Sequence, residues 1–419
     1  MESLDFTLSL SLSESLHEHS LIFIYIYMIW LEPARTKVSR ALIISWVSGF
    51  MRQYLRALKD LACAALIGMG FSPVAVAQTQ PVDLTIASWG GFYQKAQTQV
   101  LAQPFGFQSG HKVNVVTYTG HPNEIRQKVA AYRDTGVPLD WDVVDLERAD
   151  AEALCFQGYL QPIQHEQIGI QSAQTDFVEG GIGLCWVGNV VWSQSFGFDP
   201  RVYGGAEPYA LTDAFDPLLF PGRRLLTTSA EVVMELALLS EGVAPERVYE
   251  RLSTREGVAE ALAVLDRVRN DVQFINSTQE IFSLLKGGQG SIGLIHHFDA
   301  LRELRSSGQS IGYLWDSHVI DLDVFAIPAG ARNPGVAADF IANVSRGAYQ
   351  SAMATVTGYG PARLSAASAA RQDLREWLPT GPENFAYGLL FQADFWTSAP
   401  GKEAQMAYEA WRGSVTGTL

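Results

Sequence analysis

The chain has only three cysteines and eight histidines in 419 residues, and only 18% of its residues are charged. So few cysteines exclude a small disulfide scaffold, and so few charges exclude a disordered chain or a coiled-coil rod. Basic residues are also short, 30 against 44 acidic ones, which leaves a net charge of -14. A phosphate backbone attracts basic surfaces, so the expected partners include no nucleic acid. The sequence lacks a P-loop, an H-E-x-x-H, a G-x-S-x-G and a C-x-x-C, and it carries no internal repeat or low-complexity linker. Gly288-Gln289-Gly290-Ser291-Ile292-Gly293 fits G-x-G-x-x-G but follows a helical pattern and enters a strand pattern, the reverse of a dinucleotide fingerprint, so it reads as a turn. His296 and His297 are adjacent, and neighbours on a strand point to opposite faces, which does not suit a shared metal. No cofactor and no metal are expected.

What is present is a hydrophobic content of 47% on a chain too long for one core, which predicts about two domains. Composition changes near residue 78. From Met51 the chain reads as a signal peptide: Arg52, Arg56 and Lys59, then the apolar stretch 61–71, then Ala75-Val76-Ala77 before Gln78. An uncleaved anchor is the competing reading, but Gly68, Gly70, Pro73 and Pro81 make the second half poorly apolar for a span of roughly 20 residues. Residues 1–50 are read as upstream sequence ahead of a true start at Met51, and 51–77 as the cleaved leader. The 342 residues from 78 onward keep the whole charge of -14. They also keep two cysteines, Cys155 and Cys185, which in an oxidising compartment suggest a disulfide. Two buried free thiols are the alternative.

Strand and helix patterns alternate through this part. Val82, Leu84 and Ile86 alternate with polar or small residues, and Trp141-Asp142-Val143-Val144-Asp145-Leu146 reads as a buried strand. Ile125, Val129 and Tyr132 lie at helical spacing, as do Val336, Phe340 and Val344 after Asn333-Pro334. Ser253 with Glu256, and Ser277 with Glu280, have the spacing of capping boxes. Further strands are expected over 291–295 and 323–327. The alternation predicts an α/β protein with largely parallel sheets covered by helices.

Aromatic residues occupy loop positions. Trp89-Gly90-Gly91-Phe92-Tyr93 follows the first strand, Trp192 sits beside Ser193, Trp315 beside Asp316, and Tyr359 between two glycines. Aromatic faces with a few carboxylates suit a cationic ligand, through cation–π attraction and charged hydrogen bonds. The competing reading is that they pack a core or an interface.

Several motifs in order carry a family resemblance: Ala87-Ser88-Trp89-Gly90-Gly91-Phe92-Tyr93, Trp141-Asp142-Val143-Val144-Asp145 and Phe220-Pro221-Gly222-Arg223-Arg224. Trp315-Asp316, the run 321–328 around Asp323, Ala337-Ala338-Asp339-Phe340-Ile341 and Thr357-Gly358-Tyr359-Gly360-Pro361 complete the set. Together they resemble an extracellular solute-binding protein of an ABC importer, closest to the spermidine/putrescine-binding group. The resemblance implies a two-lobe periplasmic-binding-protein-like α/β fold of type II, with a hinge and a ligand cleft between the lobes. One lobe is expected from 78–190 plus 323–365, the other from 191–322 plus 366–419. It also strengthens the pairing of Cys155 with Cys185.

Carried over residue by residue, the resemblance makes Asp323 the carboxylate that grips a ligand amine. Trp89, Phe92 and Tyr359 match cleft aromatics, with Tyr93 beside them, and Trp192 matches the tryptophan of the crossover segment. Glu147 and Asp316 are secondary carboxylates, and Arg148 and His297 complete the candidate set. The sequence departs from the polyamine pattern at His297-Phe298-Asp299, at Arg148 and at Thr228-Ser229. The expected function is a non-enzymatic, monomeric periplasmic protein that captures a small polar, polyamine-like solute by lobe closure and delivers it to a membrane permease. A ferric-ion or anion binder of the same fold, and a secreted enzyme on a two-lobe scaffold, are the alternatives.

Overall fold

The computed structural model describes residues 80–166 and 169–417. The chain divides into two units, Met1–Thr79 and Gln80–Leu419, and the described residues belong to the second. The leader readings over 1–50 and 51–77 lie outside the described residues. Twelve strands among the described residues make one sheet. They are β1 Asp83–Ser88, β2 Lys112–Thr117, β3 Val143–Glu147, β4 Ile182–Gly183, β5 Trp186–Phe198 and β6 Arg224–Thr227. The rest are β7 Val272–Ile275, β8 Ile292–His296, β9 Gly312–Tyr313, β10 His318–Ala326, β11 Gly360–Pro361 and β12 Gly388–Leu390.

The main path runs β2-β1-β3-β10-β5-β8-β6-β7. Its flanks are parallel, β1 with β2 and β3, and β6 with β7 and β8. Its centre is antiparallel, β10 with β3 and β5, and β5 with β8. The expected largely parallel pairing therefore holds on the two flanks and where the short β12 lies beside β10. The reason is topological: a strand–helix–strand unit returns parallel, whereas β5 and β10 carry the chain across from one flank to the other in opposite directions.

Two hydrophobic cores lie along this sheet. One draws on residues 84–191 and 320–362, including Leu84, Ile125, Val144 and Phe340. The other draws on residues 196–319 and 389–411, including Phe196, Phe215, Leu265 and Tyr408. Each fully buried aliphatic or Phe side chain contributes about 1.5–3 kcal/mol. On β10 the change of core falls between Val319 and Ile320.

Local signals hold with one shift. Ser277 accepts from the Glu280 N–H at 3.2 Å and opens the helix Thr278–Lys286, as its spacing predicts. At the other box the cap is Thr254, which accepts from the Gly257 N–H at 3.0 Å, while Ser253 Oγ donates back to the Tyr249 carbonyl. Cys155, in the helix Arg148–Phe156, and Cys185, just ahead of β5, form a disulfide. In the second core Glu235 is wholly buried. It accepts from Trp396 Nε1 at 2.7 Å and from the Tyr249 hydroxyl at 3.2 Å. Tyr249 accepts in turn from the Gln392 N–H, so this carboxylate anchors the returning C-terminal segment.

Candidate functional site

β3, β10 and β5 lie side by side at the junction of the two cores. Asp323 of β10 stands directly opposite Glu147 of β3. Side chains two apart on a strand share a face, so Asp145 and Glu147 of β3 look the same way as Asp321 and Asp323 of β10. The β10–β5 register slips between Asp323 and Val324, whose partners are Val190 and Gly188. Asn189 is the extra residue of this bulge, a device that re-aims a side chain. Its amide Nδ2 reaches Tyr93 Oη at 2.8 Å and Asp145 Oδ2 at 3.2 Å.

Asp145 is wholly buried, and all of its donors converge on one oxygen. Oδ2 accepts from Tyr93 at 2.9 Å, from Asn189, and from Gln97 Nε2 in a short contact. Oδ1 is buried with no partner, and so is the Trp89 indole N–H. The indole lies near enough to favour the charged form of Asp145 without bonding to it. Trp89 packs on Tyr118 at 5.6 Å. Its ring is seated over Gly120, where a Cβ would come within 2.6 Å of the indole. Burial raises the Asp145 carboxyl above its ordinary range, and the three donors oppose that rise.

Asp323 is 7% exposed and accepts from Trp192 Nε1 at 3.3 Å. Burial, then the charges of Asp145, Glu147 and Asp321, push its carboxyl well up. From Trp192 a chain of rings runs around it. Trp192 packs edge-on against His296 at 5.5 Å, His296 stacks on Phe298 at 4.9 Å, and Phe298 stacks on Tyr359 at 4.3 Å. Tyr359 meets Tyr93 at 5.2 Å, and Tyr93 returns to Asp145. The result is an aromatic enclosure with two carboxylates on its wall. Such an arrangement attracts a cation through ring quadrupoles as well as charge.

Glu147 keeps its side chain open to solvent at the rim, beside Asp323. Surrounding protein, then Asp321, Asp150 and Glu231, push it up to about 7. Phe92 is 45% exposed at the start of the first helix, one residue from Tyr93. Arg148 is drawn into other contacts. Nη2 donates to the Phe391 carbonyl at 3.0 Å, Nη1 lies 3.4 Å from Glu152, and Nε lies 3.9 Å from Asp321. It ties the end of β3 to the C-terminal segment.

His297 is wholly buried, with both ring nitrogens engaged by backbone. Nδ1 accepts from the Ser193 N–H at 3.2 Å, and Nε2 donates to the Gly358 carbonyl at 2.9 Å. Burial pushes it down to about 3, so it is neutral. Gly358 ends the helix Gly347–Thr357 at φ 83°, a conformation that favours glycine, and His297 thereby positions Tyr359. Asp316 stands apart from the enclosure and holds the Leu211 N–H through both oxygens, at 3.0 and 2.9 Å. Thus Trp89, Tyr93, Glu147, Trp192, Asp323 and Tyr359 come together, His297 and Arg148 brace them, and Asp316 serves a neighbouring turn.

Sequence reasoning missed Asp145, Asn189 and Phe298 as members of the site. Asp145 has a legible signal, a carboxylate inside an otherwise apolar strand, since a buried charge needs partners. Asn189 has none, because its role depends on the bulge. Among the described residues no three His, Cys, Asp or Glu side chains converge as metal ligands. No helix there is long and apolar enough to cross a membrane.

Known proteins share this architecture. The chain is 29% identical over 361 residues to the gamma-aminobutyric acid-binding protein of Pseudomonas aeruginosa, covering 86% of this chain and 98% of that one. Among solved structures, the Atu4243–GABA receptor is 25% identical with a TM-score of 0.65, covering 79% of this chain and 97% of the other. The spermidine/putrescine ABC transporter substrate-binding protein of Streptococcus pneumoniae superposes with a TM-score of 0.63 over 79% of this chain and 99% of its own. At 15% identity it shares the two-lobe fold alone. Residues 101–379, more than half of the chain, match the family model for bacterial extracellular solute-binding proteins. The chain belongs to that family of extracellular solute-binding proteins, which bind solutes and are not enzymes.

Proposed function

We propose that the protein captures a small solute bearing a primary ammonium group, an ω-amino acid of the γ-aminobutyrate type, and delivers it in the periplasm to the permease of its importer. One observation carries this reading: Asp323 is buried with a single donor inside a wall of aromatic rings. A carboxylate so placed favours a cation that brings its own hydrogen-bond donors. The GABA-binding names of the two relatives support the class of solute. The enclosure takes rings from beside both cores, so contacts with the solute favour the closed arrangement of the lobes.

A polyamine is the second reading, and a specific observation favours it. Glu147 is exposed at the rim and the like charges of Asp321, Asp150 and Glu231 act on it, so a second ammonium would find a partner there. Titration calorimetry with γ-aminobutyrate, putrescine and spermidine separates the two. Tighter binding of γ-aminobutyrate supports the first reading, and preference for putrescine or spermidine replaces it with the second. Binding of none of the three rejects both.

A further inference from the structure

We propose that the solute's ammonium group is held by two carboxylates, Asp145 Oδ1 together with Asp323, and that its binding expels a proton from this pair. The inference rests on the reading of Asp323 as the amine-binding group and adds Asp145 to it.

The geometry points to Asp145 in three ways. It shares a sheet face with Asp323 and lies diagonally across from it, because Glu147 is the residue directly opposite. Diagonal neighbours on adjacent strands stand about 7–8 Å apart, a separation that leaves room for one ammonium between two short carboxyls. Its three bonded donors all reach Oδ2, which leaves Oδ1 buried and without a bond, with the equally unbonded Trp89 indole N–H the one further donor acting on the carboxyl. A buried acceptor with no partner is costly unless a bound group satisfies it. Finally, the charge of Asp145 acts on Asp323, and the charges of both act on the Tyr93 hydroxyl, which bonds Asp145 Oδ2. Fixed donors on Oδ2 orient the carboxyl so that Oδ1 is the atom left for the solute.

Two buried carboxylates that share a sheet face and act on one another do not both ionise readily. The groups that titrate around Asp323 are Asp145 and Glu147 from β3, Asp321 from its own strand, Tyr93 from the first helix, Tyr118 just after β2 and Tyr359 from the loop before β11. Around Asp145 they are Asp323, Tyr93, Tyr118 and Tyr359. Arg148, the first residue after β3, lies against Asp321, and Arg302 acts on Tyr359; neither pairs with Asp145 or Asp323. Near neutral pH the empty pair therefore keeps one proton. An arriving ammonium stabilises both carboxylates as anions, and the displaced proton passes to buffer.

The test is calorimetry of γ-aminobutyrate and putrescine at pH 6.5 in two buffers of different ionisation enthalpy, on the wild type and on Asp145→Asn, Asp323→Asn and Glu147→Gln. The expected wild-type result is release of about one proton per solute bound. Asp145→Asn should weaken binding at least tenfold and abolish the release, while Glu147→Gln retains it. A loss of affinity confined to Asp323→Asn leaves the amine reading standing and overturns the role of Asp145. Wild type that binds without releasing a proton overturns the shared pair, whatever the variants do. So does release that disappears in Glu147→Gln and persists in Asp145→Asn. Unchanged binding in Asp323→Asn, or no binding by wild type, rejects the amine reading itself and this inference with it.

Discussion

Trp192 Nε1 donates to Asp323 Oδ1 at 3.3 Å, from β5 to the strand beside it. This bond fixes the carboxylate within the ring enclosure and favours its charged form. Trp192→Phe keeps a ring and removes the donor, so the carboxyl pKa rises further and protons compete better with an ammonium ligand. We expect a loss of about 1.5 kcal/mol in amine affinity, the order for a hydrogen bond to a charged group. The loss should be larger at pH 6 than at pH 8 by titration calorimetry. Asp323→Ala should cost about 2 kcal/mol or more at both pH values.

Phe298 lies between His296 and Tyr359 as the middle of a three-ring stack. Aromatic pairs contribute about 0.5–1.5 kcal/mol beyond the area they bury. Phe298→Ala should therefore weaken solute binding by about 1 kcal/mol, with little change in the melting midpoint. Phe92→Ala, at a more exposed ring, should have the smaller effect. An equal loss for both would mean that the stack does not shape the cleft.

Arg148 and Asp321 lie in surroundings that leave them 13% and 2% exposed. Removing the cation leaves Asp321 and the Phe391 carbonyl without it. Arg148→Met should destabilise the fold by about 3 kcal/mol in urea. Glu152→Gln, on the exposed side of the same arginine, should stay within about 0.5 kcal/mol of wild type.

Burial pushes Glu235 up to about 7, against an ordinary carboxylate value near 4.5. The folded state then holds this proton more tightly than the unfolded chain does. Stability attributable to the group is complete below the unfolded value and is lost as pH rises through the folded one. Urea midpoints should therefore fall between about pH 4.5 and pH 7 through this group. Glu235→Gln should flatten that slope and gain about 1 kcal/mol or more relative to wild type at pH 8. A parallel pair of pH profiles would reject the assignment.

The disulfide closes a loop between residues 30 apart. In the chain-entropy model a loop of this size contributes about 3–4 kcal/mol. Dithiothreitol, or the Cys155→Ser/Cys185→Ser double variant, should lower the urea-derived stability by that order. A change below about 1 kcal/mol would mean that the unfolded chain is little constrained by the bond.

Local pattern was enough to find the elements that stand alone. The cap at Ser277, the helix after Asn333-Pro334 and the first strand all depend on residues within a few positions of one another. β5 is less legible, because Gly188 and Gly197 interrupt its alternation, yet it runs for 13 residues. Its pairing with β10 depends on partners more than a hundred residues away. The site divides in the same way. Trp89, Asp323 and Tyr359 stand in motifs that can be matched by eye. Asp145 gains its role only when Tyr93 and Gln97 from the first helix and Asn189 from the bulge of β5 arrive to occupy one of its oxygens.

β10 feeds one core up to Val319 and the other from Ile320. A fragment of residues 80–309 would lack this strand altogether, and β3 and β5 would each present a row of unmatched backbone groups. Such edges recruit other chains. Truncation from the C-terminal side therefore yields self-associating material rather than a working half, and neither core closes until β10 has been made.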